Sequence, residues 1–154
     1  MSYDRVGGVL VAQGNLTEAL ISFRKGLAIS ERLAKLDPSN AQWRNDLRLM
    51  IGRLGGLAYQ LVLAGDFTNA LDAADQAVSL AADELWQVTN RAHALMFLGR
   101  VDEARALYLK HRGPKAQGER SWEAVVLKDF TELRAAKLTH LLMDEIERLF
   151  AARG

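Results

Sequence analysis

The sequence predicts an all-α fold, a right-handed superhelical stack of about three helical hairpins closed by a C-terminal pair of helices. Three observations carry this. One phrase is written twice at an offset of 34 residues: L-A-x-x-L-x-x-x-G-D-F-T-N-A-L-x-A-A from Leu57 to Ala74, and R-A-x-x-L-x-x-x-G-R-V-D-E-A-R-x-L-Y from Arg91 to Tyr108. Leu61 thus answers to Leu95, Phe67 to Val101 and Ala70 to Ala104, and an earlier copy ends its first half at Gly14, with Ala19 and Phe23 in the later places. The composition is rich in alanine and leucine with only 2 prolines, which favours helix throughout. Apolar residues recur at steps of three and four, the mark of helices buried on one side. A helix, a glycine turn and a second helix cannot bury their apolar faces alone, so repeated units stack.

Taken in order, the first helix shows Tyr3, Val6, Gly7 and Leu10 at helical spacing before Gly14-Asn15 breaks it. So early a start is expected of a longer array's fragment, or of an array without an N-terminal cap. The second helix is predicted from about Thr17 to Leu36, lined by Leu16, Ala19, Leu20, Phe23 and Leu27, and ended by Asp37-Pro38. The residue before a proline is pushed out of the helical region. Asn40 is placed to cap a third helix carrying Trp43, Leu47, Met50, Leu54, Leu57 and Leu61, a seam of coiled-coil type. Gly52, Gly55 and Gly56 interrupt it, each at about 1 kcal/mol against alanine. They mark close packing or a bend, or else a helix thinned for a ligand.

Gly65-Asp66 turns the chain into an alanine-rich helix, Thr68 to Ala82, whose Ala70, Ala73, Ala74 and Ala77 suit an interior position. Asp83-Glu84 put negative charge at the start of the next helix, where the macrodipole favours it. That helix runs to Leu98, Gly99 turns it into Val101–His111, and Gly113-Pro114 stops the array. Residues 113–120 read as a polar linker. Ser121 and Thr139 are placed to cap two closing helices, one with Trp122, Val126, Phe130 and Leu133 inward, the other with Leu142, Ile146, Leu149 and Phe150. A charged outer face on this pair gives the stack its lid. The predicted organisation is an array over 1–112 (about 1–38, 40–82 and 83–112), the linker, and closing helices over 121–152.

Composition bounds the function. Apolar content of 49% and charged content of 25% are those of an ordinary globular protein. No apolar run approaches the roughly 18 residues of a membrane span, no basic-then-apolar leader opens the chain, and there is no cysteine. A cytoplasmic protein is expected. Net charge is +1, divided as +3 over residues 1–53, −4 over 54–99 and +2 over 100–154. That lacks the basic stripe phosphate backbones require, so neither nucleic acid nor membrane is an expected partner.

The period and its anchors resemble the tetratricopeptide repeat, with its W-x2-L-G-x2-Y, A-x3-F and terminal P pattern. The copies supply Tyr3, Val6-Gly7, Leu10, Ala19 and Phe23; Leu54, Leu57-Ala58, Leu61, Ala70 and Ala74; and Val88, Arg91-Ala92, Leu95, Ala104 and Tyr108. The resemblance covers residues 2–112. Copy one has Glu31 where the proline falls and runs on to Pro38, so the first two copies lie 51 residues apart. The phrase from Ala28 to Trp43 looks like the long-repeat variety found in bacterial proteins.

The resemblance implies a protein-interaction scaffold whose first helices line a concave groove. Off the packing stripe, the expected groove residues are Tyr59, Val62 and Leu63 on the third helix and Trp86, Thr89, Asn90, His93, Met96 and Phe97 on the fifth, with Asp4, Gly8, Val11 and Ala12 on the first. Such a groove is apolar and aromatic, floored by glycine, and suits a peptide or helix of a partner protein. The alternative is that Trp86, Tyr59 and Phe97 are core beneath the C-terminal helices. The basic clamp by which some members hold a client carboxylate is not expected, because Asp4, Gly8, Gly55 and Tyr59 stand in its places and only Asn90 fits. Self-association through the same apolar surface, giving a homodimer, is the second functional reading.

No catalytic pattern is expected. His93, His111 and His140 are scattered without metal-ligand spacing, and Gly7-Gly8 is followed by no phosphate-loop lysine. Asp144, Glu145 and Glu147 suit a helix start, and Lys110, Arg112, Lys115 and Arg120 suit a solvated helix end. Neither cofactor nor metal is implied.

Overall fold

The computed structural model describes residues 2–81, 84–113, 115–117 and 120–152. The expectations that rest on Ala82, Asp83, Pro114, Gly118 and Glu119 lie outside the described residues. Among the described residues eight helices follow in order: α1 (Tyr3–Ala12), α2 (Leu16–Leu36), α3 (Ala41–Leu63), α4 (Phe67–Leu80), α5 (Leu85–Phe97), α6 (Val101–Lys110), α7 (Trp122–Ala135) and α8 (Leu141–Ala151). Each helix from α1 to α5 packs on its successor, and α3 on α5, α5 on α7 and α6 on α8. This is an all-α stack of helical hairpins in which alternate helices share a face.

The three hairpins and the closing pair turn in the same way. The turn residues Gly14, Gly65 and Gly99 have φ of 77°, 83° and 86°. The N–H just after each reaches back to a leucine carbonyl: Asn15 to Leu10 at 2.8 Å, Asp66 to Leu61 at 2.9 Å and Arg100 to Leu95 at 2.9 Å. This pattern satisfies the last carbonyls of a helix while reversing the chain. The closing pair repeats it, with Leu138 N–H donating to the Leu133 carbonyl at 2.9 Å, but Lys137 occupies the left-handed position at φ 68°. The missing glycine is why this turn is not legible as a fourth copy. At an offset of 38 residues Val126, Phe130, Leu133, Leu142 and Ile146 fall where Val88, Ala92, Leu95, Ala104 and Tyr108 fall, and all ten are buried.

Caps explain most helix starts. Asn40 accepts from Trp43 N–H at 3.0 Å and Ser121 from Ala124 N–H at 3.1 Å, as their places in the sequence predict. Asp66 does the same for α4. Thr139 is not the cap of α8: His140 takes that position, its Nδ1 accepting from Leu142 N–H at 3.0 Å. The polar linker also contains a small antiparallel ribbon, β1 (Lys115–Gln117) with β2 (Arg120–Ser121).

One core runs the length of the stack. Leu27, Leu54, Leu57, Leu61, Leu95, Tyr108, Trp122 and Phe130 are almost fully buried within it. The alanine face of α4 (Ala70, Ala73, Ala74 and Ala77) is buried too, and small residues there allow its neighbours to approach. The Trp122 indole N–H donates to the Tyr108 carbonyl at 2.8 Å, fastening α7 to α6.

Candidate protein-interaction groove

The first helices of the hairpins, α1, α3, α5 and α7, form one side of the stack, and two clefts open along it. The larger, about 770 Å³, lies between α1 and α3 and is lined by Gly8, Val11, Phe23, Leu49, Gly52, Gly56 and Leu57, with Asn45, Arg48, Arg53 and Gln60 at its edges. The smaller, about 260 Å³, lies among α3, α5 and α7, and includes Tyr59, Trp86, Thr89, Asn90, Lys128, Asp129 and Glu132. Gly56 and Gln60 belong to both, so the two are one continuous surface, apolar at the α1 end and polar at the α7 end.

The helix α7 closes the polar end through hydrogen bonds. The Tyr59 hydroxyl donates to Glu132 Oε1 at 2.5 Å. His93, with no exposed surface, lies between Asp129 Oδ2 (2.9 Å from Nε2) and the Tyr108 hydroxyl (2.6 Å from Nδ1). Both ring nitrogens are therefore engaged, one with a carboxylate and the other with a hydroxyl. Burial raises the Tyr108 pKa well above the ordinary range, helped by the charge of Asp129. Burial also raises that of Tyr59, and its bond to Glu132 adds to the effect. Lys128 first, and Tyr59 after it, hold the Glu132 carboxyl below the usual carboxylate range. In this line of aspartate, histidine and hydroxyl, Tyr108 is fully enclosed, whereas Asp129 lines the smaller cleft. The work of the line is to fix α7 against α5 and α6.

The structure divides the nine groove residues expected on α3 and α5. Tyr59, Trp86, Thr89 and Asn90 meet in the smaller cleft, although Thr89 and Asn90 are nearly buried and Asn90 spends its amide on the Gly55 carbonyl at 2.9 Å. Val62, His93 and Met96 are wholly buried, with no surface for a partner. Leu63 and Phe97 are half-buried and pack against the core, Phe97 stacked on Phe67 with ring centroids 4.8 Å apart. The side chains of α7 lie over α5, so part of the stripe expected to face a partner instead faces this helix. Trp86 keeps part of its surface, its indole N–H donating to Glu84 at 2.7 Å. On the first helix Gly8 and Val11 line the larger cleft, whereas Asp4 pairs with Arg53 at 2.8 Å.

Sequence reasoning missed Asn45, Arg48, Leu49, Arg53 and Gln60. Their signal was present in the two glycines between them, Gly52 and Gly56, which open a face of α3 to solvent. The three interrupting glycines of α3 have two different causes. At Gly55 a Cβ would lie 3.0 Å from the Gln87 side chain and 3.1 Å from Trp86, so α5 approaches there. At Gly52 and Gly56 a Cβ would meet nothing within 4 Å.

Among the described residues no helix is long and apolar enough to cross a membrane, and no cluster of side chains is arranged to hold a metal ion. No curated protein and no solved structure matches the chain. Residues 1–38, the first hairpin, match the family model described as tetratricopeptide repeat. That match identifies a tetratricopeptide repeat in the first hairpin, and the later hairpins of the all-α stack repeat its turn geometry.

Proposed function

We propose that this scaffold receives a segment of a partner protein along the surface formed by α1, α3, α5 and α7. The observation that carries the reading is the continuity of the two clefts through Gly56 and Gln60. A preformed surface on packed helices keeps the ordering cost of binding low. Trp86 and Tyr59, aromatic and half-buried beside polar groups, are suited to anchor the segment, since such residues dominate interface energies. A photo-crosslinking side chain at the exposed Gln60 should join a partner, and Trp86→Ala should abolish the adduct while leaving the helical melting transition in place. The same group at Asp72, exposed on α4, is the control. Adducts of equal yield from Asp72 would sink the reading, as would a Trp86→Ala chain that no longer folds.

Self-association is favoured by a different surface. Val6, Val9 and Leu10 of α1 border an apolar hollow beside Arg5, and Val9 is 56% exposed. Light scattering across a wide concentration range tests this: a dimer dispersed by Val9→Glu supports it, and a monomer throughout removes it.

A further inference from the structure

We propose that the cleft between α1 and α3 receives an amphipathic helix of a partner protein that carries carboxylates beside its apolar stripe. The proposal rests on reading this side of the stack as the interaction surface, and it names what enters.

The cleft is apolar where it is deep. Val11, Phe23, Leu49 and Leu57 line it, and Leu49 is 47% exposed, so a large aliphatic side chain stands in water beside it. Its floor is backbone. Gly8, Gly52 and Gly56 all lie inside helices, each at about 1 kcal/mol against alanine, and a Cβ at any of them would meet nothing within 4 Å. The adjacent Gly7 and Gly55 are explained by close contact with Phe23 and with Gln87; internal packing does not explain the other three. Bare backbone on both walls lets another helix lie at the short end of interaxial distances, about 8 Å.

The occupant is a helix because of what the cleft lacks. An extended strand lowered into it would find the edge carboxamides of Asn45 and Gln60 to pair part of its backbone. Its remaining N–H and C=O groups would lie against aliphatic carbon, where a buried unpaired polar group is costly. A helix satisfies its backbone internally. Gly52 and Gly56, one turn apart, run along α3 and give such a helix a line to follow.

Charge fixes the flank. The charged side chains lining the cleft are Arg48 and Arg53. Arg53 is held by Asp4. Arg48 has no carboxylate partner among the described residues and only a long 3.4 Å contact to Asn45. Residues 1–53 carry a net +3. A glutamate on the incoming helix finds Arg48 unpaired, and a lysine is repelled.

The test uses two displayed peptide libraries sorted on the full chain. One consists of amphipathic helices of about 16 residues, four to five turns, with the polar flank randomised over Glu, Lys and Gln; the other holds extended, proline-containing peptides. The helices recovered should be enriched in Glu. Their affinity should fall roughly tenfold or more in Arg48→Glu and in the Gly52→Leu/Gly56→Leu double variant, both with unchanged circular dichroism. Lys-rich helices, or binding unchanged in the filled variant, would overturn the proposal. If only extended peptides bind, and bind through Tyr59 and Trp86, the helix proposal falls while the interaction surface stands. If neither library yields a binder sensitive to these positions, both fall. A homodimer dispersed by Gly52→Leu/Gly56→Leu would make the occupant a second copy and refute the proposal.

Discussion

Tyr59 on α3 donates its hydroxyl proton to Glu132 on α7 across 2.5 Å, so the second hairpin is tied to the fourth past the third. Helices of a repeat stack ordinarily touch only their neighbours. This bond therefore joins two helices that are not sequence neighbours at the polar end. Tyr59→Phe should cost about 1 kcal/mol, as for a hydrogen bond whose acceptor keeps another partner, here Lys128 at 2.6 Å. Urea unfolding measures the loss, and hydrogen exchange should quicken in α7 ahead of α3. Equal exchange in both would show that the bond holds nothing.

His93 should be far less tolerant. His93→Leu strands the enclosed Tyr108 hydroxyl and the Asp129 carboxylate, at a cost of about 2–4 kcal/mol. Adding Tyr108→Phe to that variant should return part of the loss, because one orphan is then removed. Additive losses in the double-mutant cycle would mean that the two residues are not coupled.

Two adjacent glycines should answer alanine with opposite signs. At Gly7 a Cβ would lie 2.3 Å from the Phe23 ring, and Phe23 is buried, so Gly7→Ala should destabilise by roughly 1–3 kcal/mol. At Gly8 nothing lies within 4 Å, so Gly8→Ala should stabilise by about 0.5–1 kcal/mol. Thermal denaturation of the two single variants decides, and like signs would contradict the packing described.

Lys137→Gly should stabilise the chain by about 1 kcal/mol, since a non-glycine residue at φ 68° bears a steric cost that glycine avoids. The gain should appear as slower exchange at the end of α7. A loss of stability would mean that the Lys137 side chain contributes more than its backbone costs.

Acid should loosen the C-terminal hairpin. Arg134 holds the Glu147 carboxyl below the usual range, Arg105 does so for Glu145, and Lys128 with Tyr59 for Glu132. Where the folded value lies below the unfolded one, stabilisation is complete above the unfolded value of about 4.3 and is lost as pH falls through the folded value. The urea midpoint should therefore hold steady from neutral pH to about pH 5 and then decline, with Arg134→Gln flattening the decline. A midpoint independent of pH down to about pH 3 would discount these pairs.

The sequence by itself determined the turns, most of the caps and the stack. Gly14, Gly65 and Gly99 each stand where the backbone must enter the left-handed region, and Asn40 and Ser121 where a side-chain oxygen meets a free N–H; these are local demands that a few neighbouring residues satisfy. The tertiary structure decided what each helix face touches. Helical spacing puts Thr89, His93 and Met96 off the packing stripe of α5, but whether that stripe meets water or α7 depends on a helix more than 30 residues away. Lys137 hid the fourth turn because a residue other than glycine stands at its left-handed position. The glycines of α3 look alike in sequence; only the position of α5 made Gly55 a packing contact and left Gly52 and Gly56 as open floor.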